Sequence, residues 1–345
     1  MKPLVSYLAA KQTRLWFVGL ALFGLLLSAA PIARAAVDPN IRIAIAYDVG
    51  GLGDNGVNDA AALGLKAVQK KYHLSPLAMR EVVTSGTPAD REARIKFLAK
   101  AGYNLIIAVG SGYAAAIYKT AQNFPEQQFA ILGDSTVSAA NVSDMDYATP
   151  ELSFLAGALA AASSKSGLVA MLGSASDSTF DRNQKAFIAG ANFAAPKVKV
   201  SSIAMPNNPT FYVKGLVAQG VDVIYSTWSS TSEVFTCVGV IAAAKKPIKL
   251  IGLSPDQYFL NAKPSPTFLL GIGNKNYGLA ISNLTQSALN GSAISHVLDE
   301  ANGIFGLRYR FTDGGLSFTS RSNSASVNAK IAAARSYVLK NGAKL

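Results

Sequence analysis

Short β-branched runs alternate with helical stretches along nearly the whole chain, and that order constrains the fold more than any other feature. Residues 41–47 (Ile-Arg-Ile-Ala-Ile-Ala-Tyr) alternate as a strand does, a Gly-rich turn follows, and 60–72 recurs with helical spacing. The pattern returns at 105–109 with a helix ending near Asn123, at 129–133, and at 168–172 with a helix through Ala195. It continues at 198–205 with a helix through Gly220, at 221–225 with a helix through Lys246, and at 248–253. Strands alternating with helices of about 12–15 residues imply parallel sheets joined by right-handed crossovers.

One open sheet of that many strands is possible for the 345-residue chain. Two doubly wound α/β lobes of five or six strands fit it better. Two segments read as crossings between lobes. One is Asp146-Tyr-Ala-Thr-Pro150, before an alanine-rich helix at 151–164; the other is the Pro-broken stretch 255–266. The expected division is residues 36–149 plus about 267–300 for the N-terminal lobe, and 150–266 plus about 301–345 for the C-terminal lobe. Residues 308–319 read as a hairpin around Asp313-Gly314, and 325–339 as a final amphipathic helix.

Residues 1–35 read as a signal peptide. Lys2, Lys11 and Arg14 precede an apolar run at 15–27, and Ala33-Arg34-Ala35 has the small-x-small form of a cleavage site. The apolar run falls short of the roughly 20 residues that span a bilayer. No cysteine lies near that site, so the usual bacterial lipid attachment is not offered; export to an extracytoplasmic compartment is expected, and envelope association would need an uncleaved signal or a partner. Loss of 1–35 lowers the formal net charge from +12 to about +8. The basic residues are dispersed, with isolated pairs such as Lys70-Lys71 and Lys245-Lys246, and form no stripe that would suit nucleic acid. A single cysteine, Cys237, excludes an intrachain disulfide framework and multi-cysteine metal sites, and His73 and His296 read as solvated surface residues. No cofactor is implied, and no Gly-x-Ser-x-Gly elbow, His-Glu-x-x-His helix or P-loop occurs.

Gly51-Leu-Gly53-Asp-Asn-Gly56 fits G-x-G-x-x-G between a strand and a helix, the setting of a dinucleotide loop. Asp48, Asp54 and Asp59 surround it with negative charge, which disfavours a diphosphate and suits a neutral, hydroxyl-rich ligand at the carboxyl end of a strand. Turn glycines with N-capping aspartates are the purely structural alternative. An exported dinucleotide-dependent enzyme, and a sensor on the same fold without transport, are the competing functions.

Tyr47-Asp-Val-Gly-Gly-Leu-Gly-Asp-Asn-Gly-Val-Asn-Asp59 resembles the D-x-G-G-x-x-D-x-S-F-N motif of the basic membrane protein family, purine nucleoside receptors that serve ABC importers. Val109-Gly-Ser-Gly-Tyr113 resembles its G-x-G-F segment, and 124–132 its F-P-x-x-x-F-A segment. Further similarity runs through 153–160, Phe187-Ile-Ala-Gly190, Gly220-Val-Asp-Val-Ile-Tyr225 and Ile251-Gly-Leu-Ser-Pro-Asp-Gln257. The resemblance implies a periplasmic-binding-protein type I-like fold and a monomeric binder, without catalysis, that closes over a nucleoside-like ligand and delivers it to an ABC permease.

Carried over residue by residue, the resemblance implies ligand contacts by Asp48, Asp54, Asn58, Ser111, Asp134, Asp256 and Lys275. Tyr225 takes the place of one stacking phenylalanine, and Val57 stands where the other is expected, with Trp228 a possible substitute. Ser254 replaces the ribose-binding aspartate. These departures leave open a deoxynucleoside, a free base or another small polar ring.

Overall fold

The computed structural model describes residues 41–345 except 55, 176, 207–208, 228–230 and 255–266. The expected signal peptide and the 255–266 crossing therefore lie outside the described residues. The first five strands are β1 (Ile43–Tyr47), β2 (Met79–Val83), β3 (Leu105–Val109), β4 (Gln128–Leu132) and β5 (Val142–Tyr147). Helices α1 (Val57–Tyr72), α2 (Pro88–Lys100) and α3 (Ala114–Ala121) intervene. After α4 (Thr149–Ser163) the alternation resumes with β6 (Leu168–Ser174), α5 (Phe180–Ala194), β7 (Lys199–Met205) and α6 (Thr210–Ala218). It continues with β8 (Val223–Ser226), α7 (Thr231–Ala243), β9 (Lys249–Ser254) and β10 (Leu269–Lys275). The chain ends with α8 (Tyr277–Leu289), β11 (His296–Asp299), β12 (Ile304–Tyr309), β13 (Leu316–Ser320) and α9 (Ala325–Asn341).

These strands form two sheets, ordered β11-β12-β5-β4-β3-β1-β2 and β13-β10-β9-β8-β6-β7. Every pairing is parallel except β11 with β12 and β10 with β13. Strands β1 (IAIAY) and β3 (LIIAV) are buried at every position, as continuous apolar strands with both faces covered must be. One apolar cluster runs from Ile43 and Leu65 through Leu152 and Leu155 to Phe187 and Val338, so a shared core lies under both sheets on the side of the crossings. Separate clusters around Ile106 and Ile117, and around Leu216 and Ile241, cover the other faces. Among the described residues no helix is long and apolar enough to cross a membrane.

The chain passes between sheets at 147–149, at 275–277 and at 309–316. The last two correct the expected division. Residues 269–275 do not return to the first lobe, because β10 pairs with β9 from Leu269↔Leu250 to Asn274↔Ser254. Residues 304–309 belong to the first sheet, where β12 pairs with β5 from Gly306↔Asp144 to Tyr309↔Tyr147. The expected hairpin at 308–319 is therefore a crossing. Its turn forms, with Asp313 accepting from the N–H groups of Arg310 and Gly315 at 3.0 and 2.8 Å, but the flanking strands enter different sheets. The antiparallel partners here are β11 for β12 and β10 for β13.

Helix α4 is buried from Thr149 to Ala161 and is apolar on all sides, as an interior helix is. It meets α5 at two glycines: a Cβ on Gly157 would lie 2.0 Å from the Phe187 carbonyl oxygen, and one on Gly190 1.9 Å from that of Phe154. A methyl group at 190 must push the helices apart. Gly190→Ala should therefore lower unfolding free energy by about 3 kcal/mol in urea titration.

Buried Asp144 on β5 accepts the Val137 N–H at 2.8 Å through Oδ2 and thereby holds the loop after β4, while Oδ1 has no hydrogen-bond partner. Burial pushes its pKa up to about 7, against the pull of the Val137 N–H and with help from Asp134 and Asp146. A carboxyl raised in the folded state contributes stability that is complete below its unfolded pKa of about 4 and is lost as pH rises through 7. Asp144→Asn should flatten the decline of melting temperature between these pH values; an unaltered profile would remove Asp144 from the titration.

Candidate ligand-binding site

All three crossings leave from carboxyl ends of strands, β5, β10 and β12, and two are only one or two residues long. The carboxyl edges of both sheets are thereby drawn to one place, where ligands of open α/β sheets bind. On the first sheet β1, β3 and β4 are consecutive, so Asp48, Ser111 and Asp134 follow successive strand ends roughly 5 Å apart.

Asp48 is the most heavily supported of them. Its N–H donates to Asn58 Oδ1 at 3.0 Å, and its carbonyl accepts from Asn58 Nδ2 at 3.3 Å and from the Gly51 N–H at 3.1 Å. Carboxylate Oδ1 accepts from the Val49 N–H at 2.9 Å and from Arg91 Nη2 at 2.6 Å. Oδ2 makes no hydrogen bond among the described residues, and the side chain is one-third exposed. Asp48 thus offers one acceptor at the sheet edge.

Asn58 is buried, and its amide holds the Asp48 backbone through both Oδ1 and Nδ2. Asp54 accepts from the N–H groups of Gly56, Asn58 and Asp59 at 2.7, 3.1 and 3.1 Å, which places it as the anchor of the first turn of α1. Val57 is half-buried and packs against the core. Asp134, 8% exposed, turns Oδ1 onto the Thr136 N–H and hydroxyl at 2.7 and 2.6 Å. Ser111 is exposed and opens a single helical turn after β3.

Tyr225 requires correction as a stacking residue. It is fully buried, with its ring stacked on Phe187 at 5.5 Å and its hydroxyl 3.3 Å from Ser153 Oγ. No face of the phenol is open. Trp228 and Asp256 lie outside the described residues. Ser254 ends β9, where its backbone pairs with Asn274, one residue before Lys275.

Lys275 brings the second sheet into the site. It is half-buried at the end of β10, with Nζ 5.7 Å from the centroid of the Tyr147 ring on the first sheet. Burial lowers its pKa below the usual lysine range, and the carboxylates of Asp146 and Asp177, one from each lobe, act against that shift. It makes no ion pair within 4 Å among the described residues.

The Gly-rich loop turns its N–H groups inward. Those of Gly51, Gly53 and Gly56 donate to the Asp48 carbonyl and to the carboxylates of Asp59 and Asp54, at 3.1, 2.7 and 2.7 Å. A pyrophosphate would find those donors taken and carboxylates beside them. Among the described residues no group of three or more His, Cys, Asp and Glu side chains could hold a metal ion.

Sequence reasoning missed Arg91, the ion-pair partner of Asp48; the available signal was the pair of glycines flanking Ser111. The reassignment of Tyr225 is open to test. Tyr225→Phe should cost about 1 kcal/mol through the bond to Ser153, whereas Tyr225→Ala should cost about 3–5 kcal/mol as a core cavity, both read by chemical denaturation. Equal stability of the alanine variant would put the ring back at a surface.

A family model described as ABC transporter substrate-binding protein PnrA-like matches residues 41–296. The "ABC transporter nucleoside-binding protein BmpA" of Lactococcus lactis is 23% identical over 270 residues, 74% of this chain and 77% of that protein. The "CD4+ T-cell-stimulating antigen" of Listeria monocytogenes is 24% identical over 233 residues, 64% of each chain, so this chain spans just under two-thirds of that relative. Among solved structures, an ABC transporter solute-binding protein from Aeropyrum pernix superposes with a TM-score of 0.63 at 20% identity, over 88% of each chain. A transcriptional activator of the comK gene from Bacillus halodurans superposes at 0.69 with 18% identity, over 87% of this chain and 98% of that one. Such structural likeness establishes the two-lobed, periplasmic-binding-protein type I-like fold. Together with a family match that spans most of the length, it follows that the chain belongs to the Bmp family of PnrA-like ABC transporter substrate-binding proteins.

Proposed function

We propose that this protein is the exported, extracytoplasmic receptor of an ABC importer, that it works as a monomer without catalysis, and that it captures a nucleoside-like ligand, a purine nucleoside foremost, by closure of its lobes. The observation that carries the reading is Asp48 Oδ2 on one carboxyl edge and the Lys275 ammonium rising from the other, the first without a hydrogen bond and the second without an ion pair among the described residues. An anionic acceptor and a cationic donor on opposite lobes suit the hydroxyls and ring nitrogens of a neutral polar heterocycle. A ligand that touches both lobes favours the closed form by its differential contacts, and the closed form is what a permease can distinguish. The Lactococcus relative, a nucleoside-binding protein by name, supports the same ligand class.

Asp48, Ser111, Asp134 and Lys275 are the contacts we assign, with Trp228 and Asp256 retained as contacts of the second lobe. The inward-turned N–H groups of the Gly-rich loop speak against the dinucleotide-dependent enzyme. Calorimetric titration should accordingly register inosine, guanosine or adenosine and give no heat with NAD; the reverse order would overturn the receptor. Asp48→Asn keeps acceptors for Val49 and Arg91 but removes the charge, and it should weaken nucleoside binding on the order of tenfold, or about 1.4 kcal/mol. The melting temperature of the empty protein should change little.

A further inference from the structure

Arg91 lies on the first turn of α2, 43 residues after Asp48, and outside every motif that led to the site. Its Nη2 donates to Asp48 Oδ1 at 2.6 Å and its Nη1 to the Gly86 carbonyl at 2.7 Å, with the guanidinium carbon 5.6 Å from the centroid of the Tyr113 ring. The side chain is 15% exposed.

The turn after β3 is shaped around this pair. A Cβ on Gly110 would stand 3.0 Å from Asp48 Oδ2, and a Cβ on Gly112 2.7 Å from Arg91 Cζ. Gly110 also takes φ 94°, which L side chains rarely adopt. One glycine therefore clears the carboxylate and the other clears the guanidinium. Tyr113 ties the same turn to β1, its hydroxyl donating to the Tyr47 carbonyl at 2.9 Å.

The arrangement makes poor sense as a device for stability alone. Arg91 Nε is buried without a hydrogen-bond partner among the described residues, and an orphaned buried donor is destabilising. What the pairing does accomplish is orientation. With Oδ1 taken by Arg91 and the Val49 N–H, rotation of the carboxylate is blocked, and Oδ2 is left beside Gly110 at the sheet edge. A planar guanidinium anchored at two points can impose this, whereas a lysine offers a point charge on a flexible stem.

We infer that Arg91 is a positioning residue for ligand capture, holding Asp48 so that Oδ2 is presented to a hydrogen-bond donor of the ligand, a hydroxyl or ring N–H. The inference rests on the receptor reading above and names the group that fixes its specificity on the first lobe. A ligand carrying only acceptors at that point is excluded by the same geometry.

Two measurements test it. The first is the crystal structure of the unliganded Arg91→Ala variant, in which Asp48 should leave its present rotamer or occupy several; an unchanged Asp48 would overturn the inference whatever the ligand. The second is calorimetry with inosine on the wild type, Arg91→Ala, Arg91→Lys, Asp48→Asn and the Arg91→Ala/Asp48→Asn double variant. Arg91→Ala should weaken binding about tenfold, Arg91→Lys should recover part of the loss, and Arg91→Ala should add less than about twofold once Asp48 is asparagine. A full, additive loss in the double variant would overturn positioning through Asp48. If alanine at 91 prevents folding, the crystal structure and inosine affinity of Arg91→Lys carry the comparison: a displaced Asp48 with weakened binding supports the inference, and wild-type geometry with wild-type affinity overturns it. If the wild type takes up no nucleoside, the ligand reading fails by itself, and the orientation of Asp48 in the variant crystal still decides the role of Arg91.

Discussion

Three buried tyrosines set the relation between the two sheets. Tyr147 ends β5, Tyr277 opens α8 and Tyr309 ends β12, so each crossing contributes one ring to a single cluster. Tyr147 lies 4.9 Å from Tyr277 and 5.3 Å from Tyr309, centroid to centroid. Aromatic pairs of this kind are worth about 0.5–1.5 kcal/mol each beyond the area they bury. Because every crossing leaves from a carboxyl end, the cluster also dictates that the ligand-facing edges of both sheets adjoin it. Lys275 lies above the Tyr147 ring, and the Tyr277 hydroxyl is 3.7 Å from where a Cβ on Gly133 would be, beside Asp134.

The alternation of strands and helices was legible in the sequence because it is local. Burial of β1 and β3 on both faces selects continuous apolar runs, and the helices between them carry the 3.6-residue period. What was not legible is which sheet a strand joins. The buried strand at 269–275 would read the same in either lobe, and only its register with β9 assigns it to the second. The turn at Asp313-Gly314 likewise has the local chemistry of a hairpin, with Asp313 accepting two backbone N–H groups. The strands on either side diverge because β12 finds β5 and β13 finds β10, both remote in sequence. Pairing partners are a non-local property, and turn residues do not encode them.

The site divides along the same line. Asp48 was legible because it directly follows a buried strand and precedes a Gly-rich turn. Asn58 and Asp54 are expected ligand contacts that also bond the backbone of the loop, a supporting role that spacing does not reveal. Tyr225 was misplaced because an aromatic residue near a strand end can face either the gap or the core. Here Phe187 and Ser153, from helices far away in sequence, claim both its ring and its hydroxyl. Arg91 gave no sign in its own segment.

The glycines explain why the motifs of this chain resemble those of its family while the expected ligand contacts depart from them. Gly157 and Gly190 sit where two helices touch backbone to backbone, and Gly110 and Gly112 sit where Asp48 and Arg91 need room. At each, a side chain would strike atoms that cannot move without shifting a helix or the ion pair. Val57 is under no comparable constraint, since it is half-buried at the start of α1. Steric necessity therefore ties the resemblance to the scaffold and to the support of Asp48, and leaves a position such as 57 free to differ.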